Sequence, residues 1–193
     1  MKLGITGPIT IGAYKDYLDS AALRDKSIPQ GRGGTSVVQL TLALLQQGCQ
    51  LTIFTLDRTV SKELILEGAN LKICVGPDRG ARRVLDFYQV EREYLQEAIR
   101  REKPDLVHAH WTYEFALGAL GSGLPTIVTA RDAPLRVLQL MPSTYRFMRT
   151  LSSFKVVRQT QHLTAVSPYI AEYFRKVMRY PRPIKVIPNG MNA

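Results

Sequence analysis

Gly31-Arg-Gly-Gly-Thr-Ser36 runs directly into Val37, Val38, Leu40, Leu42, Leu44 and Leu45, and the apolar run stops at Gly48. This is a glycine turn feeding a helix start. Lacking Cβ atoms, Gly33 and Gly34 let the backbone take positive φ and let an anion come close. The first free N–H groups and the positive end of the helix dipole point at that anion. The apolar strand Leu51-Thr-Ile-Phe-Thr55 follows at once. The unit reads as the first turn of an α/β fold built to hold a phosphate, and a glycine loop that merely caps a helix is the plainer alternative.

Outward from that unit, short apolar runs alternate with longer helical patterns, the signature of a mostly parallel sheet covered by helices on both faces. The spacing predicts about seven strands, near 2–6, 51–55, 71–75, 105–109, 125–129, 162–166 and 184–187. Helices are predicted near 34–48, 60–68, 83–102, 113–122, 142–160 and 168–179. In 83–102, Val84, Leu85, Tyr88, Leu95, Ala98 and Ile99 share one face, with Glu91, Arg92, Glu97 and Arg101 elsewhere. Pro104 ends that helix. Two long loops, 7–32 and 131–141, fall where strand C-termini open, and ligands bind at those ends in open parallel sheets. The fold class is therefore α/β, a Rossmann-like three-layer sandwich over residues 1–187, with 188–193 beginning a linker.

A chain of 193 residues buries a sizeable core without a disulfide scaffold. Cys49, beside a strand start, and Cys74, inside Leu71-Lys-Ile-Cys-Val75, read as small core residues of a reducing compartment. The N-terminus is too short for a secretory segment and no apolar run is long enough to span a membrane, so a cytoplasmic protein is expected. The net charge of +10 is uneven: residues 131–193 carry eleven Lys and Arg against only Asp132 and Glu172. This basic end attracts membrane phosphates and phosphorylated substrates. Its basic residues are not interleaved with an aromatic stacking motif, which argues against nucleic acid.

Three strand ends carry candidate chemistry. In Asp105-Leu-Val-His-Ala-His110-Trp-Thr-Tyr113-Glu114, alternation sends His108 and His110 to one side. One is expected as a core hydrogen-bonding residue and His110 as the cleft residue, able to donate to a sugar hydroxyl or phosphate. No third ligand of suitable type stands near the pair, so no metal is expected. Pro125-Thr-Ile-Val-Thr-Ala-Arg131-Asp132 ends the next strand, where Arg131 can fork onto a phosphate and Asp132 can orient it or cap the following turn. Ser167-Pro168 is an N-cap followed by a first helical residue. No nucleophilic triad, P-loop lysine or paired-carboxylate helix is visible. The glycine turn also departs from the dinucleotide fingerprint, because it follows a long loop and lacks the third glycine.

With these motifs in order, the chain resembles the N-terminal half of family 4 glycosyltransferases of GT-B fold. The resemblance rests on Gly33-Gly34 with its apolar helix, Lys103-Pro-Asp-Leu-Val-His-Ala-His110, Pro125 to Asp132, Leu163-Thr-Ala-Val-Ser167 and Lys185-Val-Ile-Pro-Asn-Gly190. It implies an enzyme that transfers a sugar from a nucleotide-sugar donor to a sugar or lipid-linked acceptor, with retention of configuration and without cofactor or metal. It further implies that Gly33 and Gly34 approach the donor diphosphate and that His110, Arg131 and Asp132 do the catalytic work in the cleft. Trp111, Tyr113 and Asn189 then line that cleft. Many relatives carry histidine where this chain has Arg131, and the stretch ends before the second, nucleotide-holding domain, so this half alone is expected to be inactive. A non-catalytic anion-binding or scaffolding module of the same fold is the alternative. Residues 131–185, with Phe147, Met148, Leu151 and Phe154 beside Arg146 and Arg149, suit a peripheral contact with anionic lipid at the inner membrane face.

Overall fold

The computed structural model describes residues 1–19, 28–31 and 33–190; parts of the loop 7–32 and of the segment 188–193 lie outside the described residues. Its strands are β1 (Lys2–Thr6), β2 (Gln50–Asp57), β3 (Leu64–Glu67), β4 (Leu71–Pro77), β5 (Leu106–His110), β6 (Thr126–Ala130), β7 (His162–Ala165) and β8 (Ile184–Val186). They form one sheet in the order β3-β4-β2-β1-β5-β6-β7-β8. All pairs are parallel except β3 with β4. The helices are α1 (Thr35–Gln46), α2 (Gln89–Glu102), α3 (Glu114–Gly121), α4 (Pro134–Leu140), α5 (Thr144–Gln159) and α6 (Pro168–Lys176), with 3-10 turns at Ile11–Tyr17 and Gly80–Val84.

Side-chain alternation divides the core into two. Ile53 and Ile73 join Ile5, Tyr14, Val37 and Val38 under α1 and the first 3-10 turn. Their neighbours Phe54 and Cys74 face the opposite way, toward Leu95, Ala116, Val156 and Phe174 of α2, α3, α5 and α6. Burial of this kind contributes roughly 1.5–3 kcal/mol for each large apolar side chain, which is what holds the helices to the sheet. Cys74 lies in that layer, and burial pushes its thiol up to about 12, as suits a packing residue.

Four expectations are corrected. The helix predicted at 60–68 is the strand β3, an eighth strand: Leu66 is buried while Ile65 and Glu67 face outward, a period of two, and the turn at Gly68 folds the segment back so that Leu66 pairs with Ile73. The predicted helix 83–102 begins only at Gln89, because Phe87 and Tyr88 adopt left-handed φ of 54° and 61°. Leu85 is consequently 75% exposed, whereas Glu91 is fully buried, accepting from the Arg79 backbone and guanidinium at 3.0 and 3.1 Å. The loop predicted at 131–141 contains α4, started by Pro134 at its first position. Within 7–32, Ile11–Tyr17 forms a 3-10 turn, and Thr10 bridges to Gly31. The cap at Ser167 is as predicted, its hydroxyl accepting from the Ile170 amide at 3.3 Å.

Candidate active site

The strand order reverses at β1, with β2 on one side and β5 on the other, and the candidate residues gather at that switch point. Gly7 follows β1, and its missing side chain leaves room for His110, whose Cβ would otherwise sit 3.3 Å from a Gly7 Cβ. The Thr10–Gly31 bridge and a hydrogen bond from Thr10 Oγ1 to the Gly33 carbonyl at 3.3 Å return the long loop to this spot. Gly33 and Gly34 both take left-handed φ, 72° and 74°. A Cβ on Gly34 would run into the Pro8 carbonyl oxygen, whereas around Gly33 there is open space. The Gly34 carbonyl accepts from Val37 and Val38 at 2.7 and 2.8 Å, starting α1 with its positive end at the bend.

Arg131 ties this bend to the other strand ends. Its Nη1 donates to Ser36 Oγ at 2.6 Å and to Asn189 Oδ1 at 2.7 Å. Its Nη2 and Nε donate to His110 Nδ1 at 3.0 and 3.3 Å, and the guanidinium carbon lies 5.4 Å from the centre of the Trp111 ring. Trp111 reaches that position through a left-handed φ of 65°. Because a guanidinium only donates, His110 Nδ1 is the bare nitrogen and Nε2 carries the proton. Nε2 is buried and has no partner among the described residues. Burial, then His108 and Arg131, holds the His110 imidazole neutral by lowering its pKa well below the usual value.

His108 is the structural member of the pair. Its ring lies 4.2 Å from that of His110, and Nε2 bonds Thr129 Oγ1 at 2.6 Å, which in turn meets Thr164 Oγ1 at 2.7 Å. Burial, helped by the Arg131 charge, brings its pKa to about 4. Among the described residues no group of three His, Cys, Asp or Glu is placed to hold a metal ion.

Asp132 is not where orienting Arg131 requires it. Tyr113 Oη donates to both its carboxylate oxygens, at 2.9 and 2.8 Å, and the two side chains line a small cavity of about 230 Å³ against α4 and α5. Burial raises the Asp132 pKa, opposed by the Tyr113 hydroxyl and the Arg149 charge. Tyr113 is itself sandwiched, with the Arg149 guanidinium 3.6 Å from its ring centre. Arg149 therefore faces inward and is not a surface cation. The structure thus brings together Gly33, Gly34, His110, Trp111, Arg131 and Asn189, and sets Asp132 and Tyr113 apart as a second pair.

A larger cleft, of about 300 Å³, went unnoticed in the sequence. It opens beyond the ends of β2, β4 and β5, between Asp57, Asp78, Arg83, Trp111, Glu114 and Arg149. The signal was present: Asp57-Arg58 and Asp78 are charged residues immediately after buried strands, the place where a parallel sheet binds ligands. Arg83 opens the stretch 83–102 whose spacing predicts one helix, whereas it lies in the 3-10 turn Gly80–Val84.

An open parallel sheet with an anion-ready glycine bend at its switch point defines a Rossmann-like half-domain of the GT-B kind. The chain belongs to glycosyltransferase family 4, whose model matches residues 33–193. Among solved structures it is similar to sucrose-phosphate synthase from Thermosynechococcus elongatus, with a TM-score of 0.66 at 13% identity, over 100% of this chain and 49% of that one. It is also similar to UGT89C1 of Arabidopsis thaliana complexed with UDP-L-rhamnose, with a TM-score of 0.52 at 10% identity, over 96% of this chain and 51% of that one. At such identities the likeness speaks for the fold alone. The chain spans about half the length of these structures. No curated protein matches it.

Proposed function

We propose that this chain is the acceptor-side half of a retaining glycosyltransferase that moves a sugar from a nucleotide-sugar donor to a sugar or lipid-linked acceptor. In this reading residues 1–187 form one wall of the cleft, a second domain beyond the linker at 188–193 holds the nucleotide, and no cofactor or metal takes part. One observation carries the reading. Arg131, half-buried, is bonded to Ser36, His110 and Asn189, all neutral, and takes part in none of the ion pairs among the described residues, while it stands at the positive end of α1. A half-buried cation without a counter-charge, beside a helix N-terminus, favours an anion as its partner. The departing diphosphate of a nucleotide sugar is one that gains charge during the reaction.

The roles follow from that geometry. The amides around Gly33 and Gly34, with Arg131, stabilise the charge developing on the leaving phosphate. Neutral His110, itself fully buried, accepts at Nδ1 and so holds the Arg131 guanidinium in place for that phosphate. Asp132 acts from a distance, by fixing Tyr113 in the wall of the cleft. The basic end, 131–185, adds peripheral contact with anionic lipid at the cytoplasmic face.

The test uses the longest open reading frame containing this chain, offered a panel of nucleotide sugars with nucleotide release as the readout. Turnover is expected, with Arg131→Ala lowering kcat by about 10²–10³. Arg131→Lys should recover little, since a single ammonium cannot span Ser36, His110 and Asn189 together. A protein that neither binds nor turns over any nucleotide sugar removes the proposal, and binding of phosphosugars without turnover favours the non-catalytic anion-binding module.

A further inference from the structure

We propose that the cleft at the ends of β2, β4 and β5 binds a vicinal diol of a sugar acceptor, with Glu114 accepting from one hydroxyl and Arg83 donating to its neighbour. This names the acceptor class and rests on the transferase reading above.

Glu114 is 4% exposed. Its Oε1 is held by Arg83 Nη2 at 3.2 Å, while Oε2 has no hydrogen-bond partner among the described residues. Arg83 is likewise committed on one side, Nη1 donating to Asp78 Oδ2 at 2.9 Å, while its Nε is buried and unpartnered. One buried ion pair therefore carries both an unmet acceptor and an unmet donor, and both side chains line the cleft. Buried polar atoms are normally satisfied, so such a pair marks a place that a ligand completes. A hydroxyl both donates and accepts, and two adjacent hydroxyls answer both atoms at once.

The charges around the cleft point the same way. Arg58, Arg83 and Arg149 are matched by Asp57, Asp78 and Glu114, so no net positive field favours a phosphate, and the carboxylates would repel one. Trp111 supplies an apolar wall for the face of a ring, and about 300 Å³ suits a single sugar ring better than a lipid chain or a nucleotide.

Trp111 is the only tryptophan in the chain and lies between this cleft and Arg131, so its fluorescence responds to a ligand at either site, and Glu114→Gln assigns a response to the cleft. The chain is titrated with glucose, mannose and galactose, with the 2-, 3- and 4-deoxy forms of each responding sugar, and with inorganic phosphate. A saturable shift with at least one parent sugar is expected, weakened tenfold or more in at least one of its deoxy analogues, because a site built to pair a hydroxyl rejects its absence. Glu114→Gln should weaken the parent sugar similarly. Should that variant fold poorly, the comparison of parent with deoxy sugar on the unaltered chain decides. No response to any sugar, equal responses to the parent and all its deoxy forms, or a sugar response that a folded Glu114→Gln leaves unchanged each overturns the diol assignment, whereas a response to inorganic phosphate alone reports on Arg131. None of these readouts involves nucleotide-sugar turnover, so the transferase reading stands or falls separately.

Discussion

At the level of single residues, Gly33 and Gly34 share a backbone conformation and differ in surroundings. Gly33→Ala pays only for a left-handed backbone, about 1–2 kcal/mol, because nothing lies near the added methyl. Gly34→Ala carries that cost and also drives a methyl into the Pro8 carbonyl, so it should destabilise by clearly more and displace the start of α1. Urea unfolding of the two variants checks this, and equal losses would contradict the account. The turn itself was legible, since glycines before an apolar helical run have few other uses. The partnership of Arg131 with His110, Ser36 and Asn189 was not, because sequence order brings strand ends together without saying which way each side chain turns. Asp132 shows the same limit: adjacency to Arg131 suggested a pair, but successive residues at a strand end point to opposite sides.

Among the elements, those with a strong single period were readable and those with a mixed signal were not. β5 and β6 are buried runs closed by polar residues, and α6 has a cap and a proline, so each fell close to its expected bounds. The segment 60–68 carries alternating leucines that a helical reading also accommodates, and only the return pairing with β4 selects the strand. In α5 the packing sorts the residues proposed for a lipid contact: Phe154 leans on the core, whereas Phe147 and Leu151 are exposed and share a face with Lys155 and Arg158. Leu140 and Met141, at the end of α4, are exposed as well. The chain should therefore sediment with vesicles of phosphatidylcholine and phosphatidylglycerol, and the double change Phe147→Glu and Leu151→Glu should release it without lowering Tm. Sedimentation that ignores phosphatidylglycerol would remove the lipid contact. No described helix is long and apolar enough to cross a membrane.

For the molecule as a whole, the buried imidazoles make stability depend on pH. Both histidines have pKa values below their unfolded value of 6.5, so the unfolded chain binds protons that the folded chain refuses. Both contributions are complete above pH about 6.5 and decline below it; that of His108 is lost as pH falls toward 4, a span on the order of 3 kcal/mol. Thermal melts should show a lower Tm at pH 5 than at pH 7.5, with His108→Gln flattening the difference, and a profile independent of pH over that range would refute it. The overall architecture was legible because parallel sheets impose a repeating rhythm on the chain. The cleft was not, because its lining comes from five separated stretches, and no local pattern announces that Asp57, Asp78, Arg83, Glu114 and Arg149 meet.

The sheet's two outermost strands are short, four residues in β3 and three in β8. β8 is bracketed by Pro181, Pro183 and Pro188, which cannot donate a ladder hydrogen bond, and carries an exposed lysine at its centre. An eight-stranded ribbon left unclosed would ordinarily invite foreign backbone to zip onto its margins and grow into fibrils. Here β8 is both brief and poorly furnished with amides, and β3 is brief, so each margin offers foreign backbone little to zip onto.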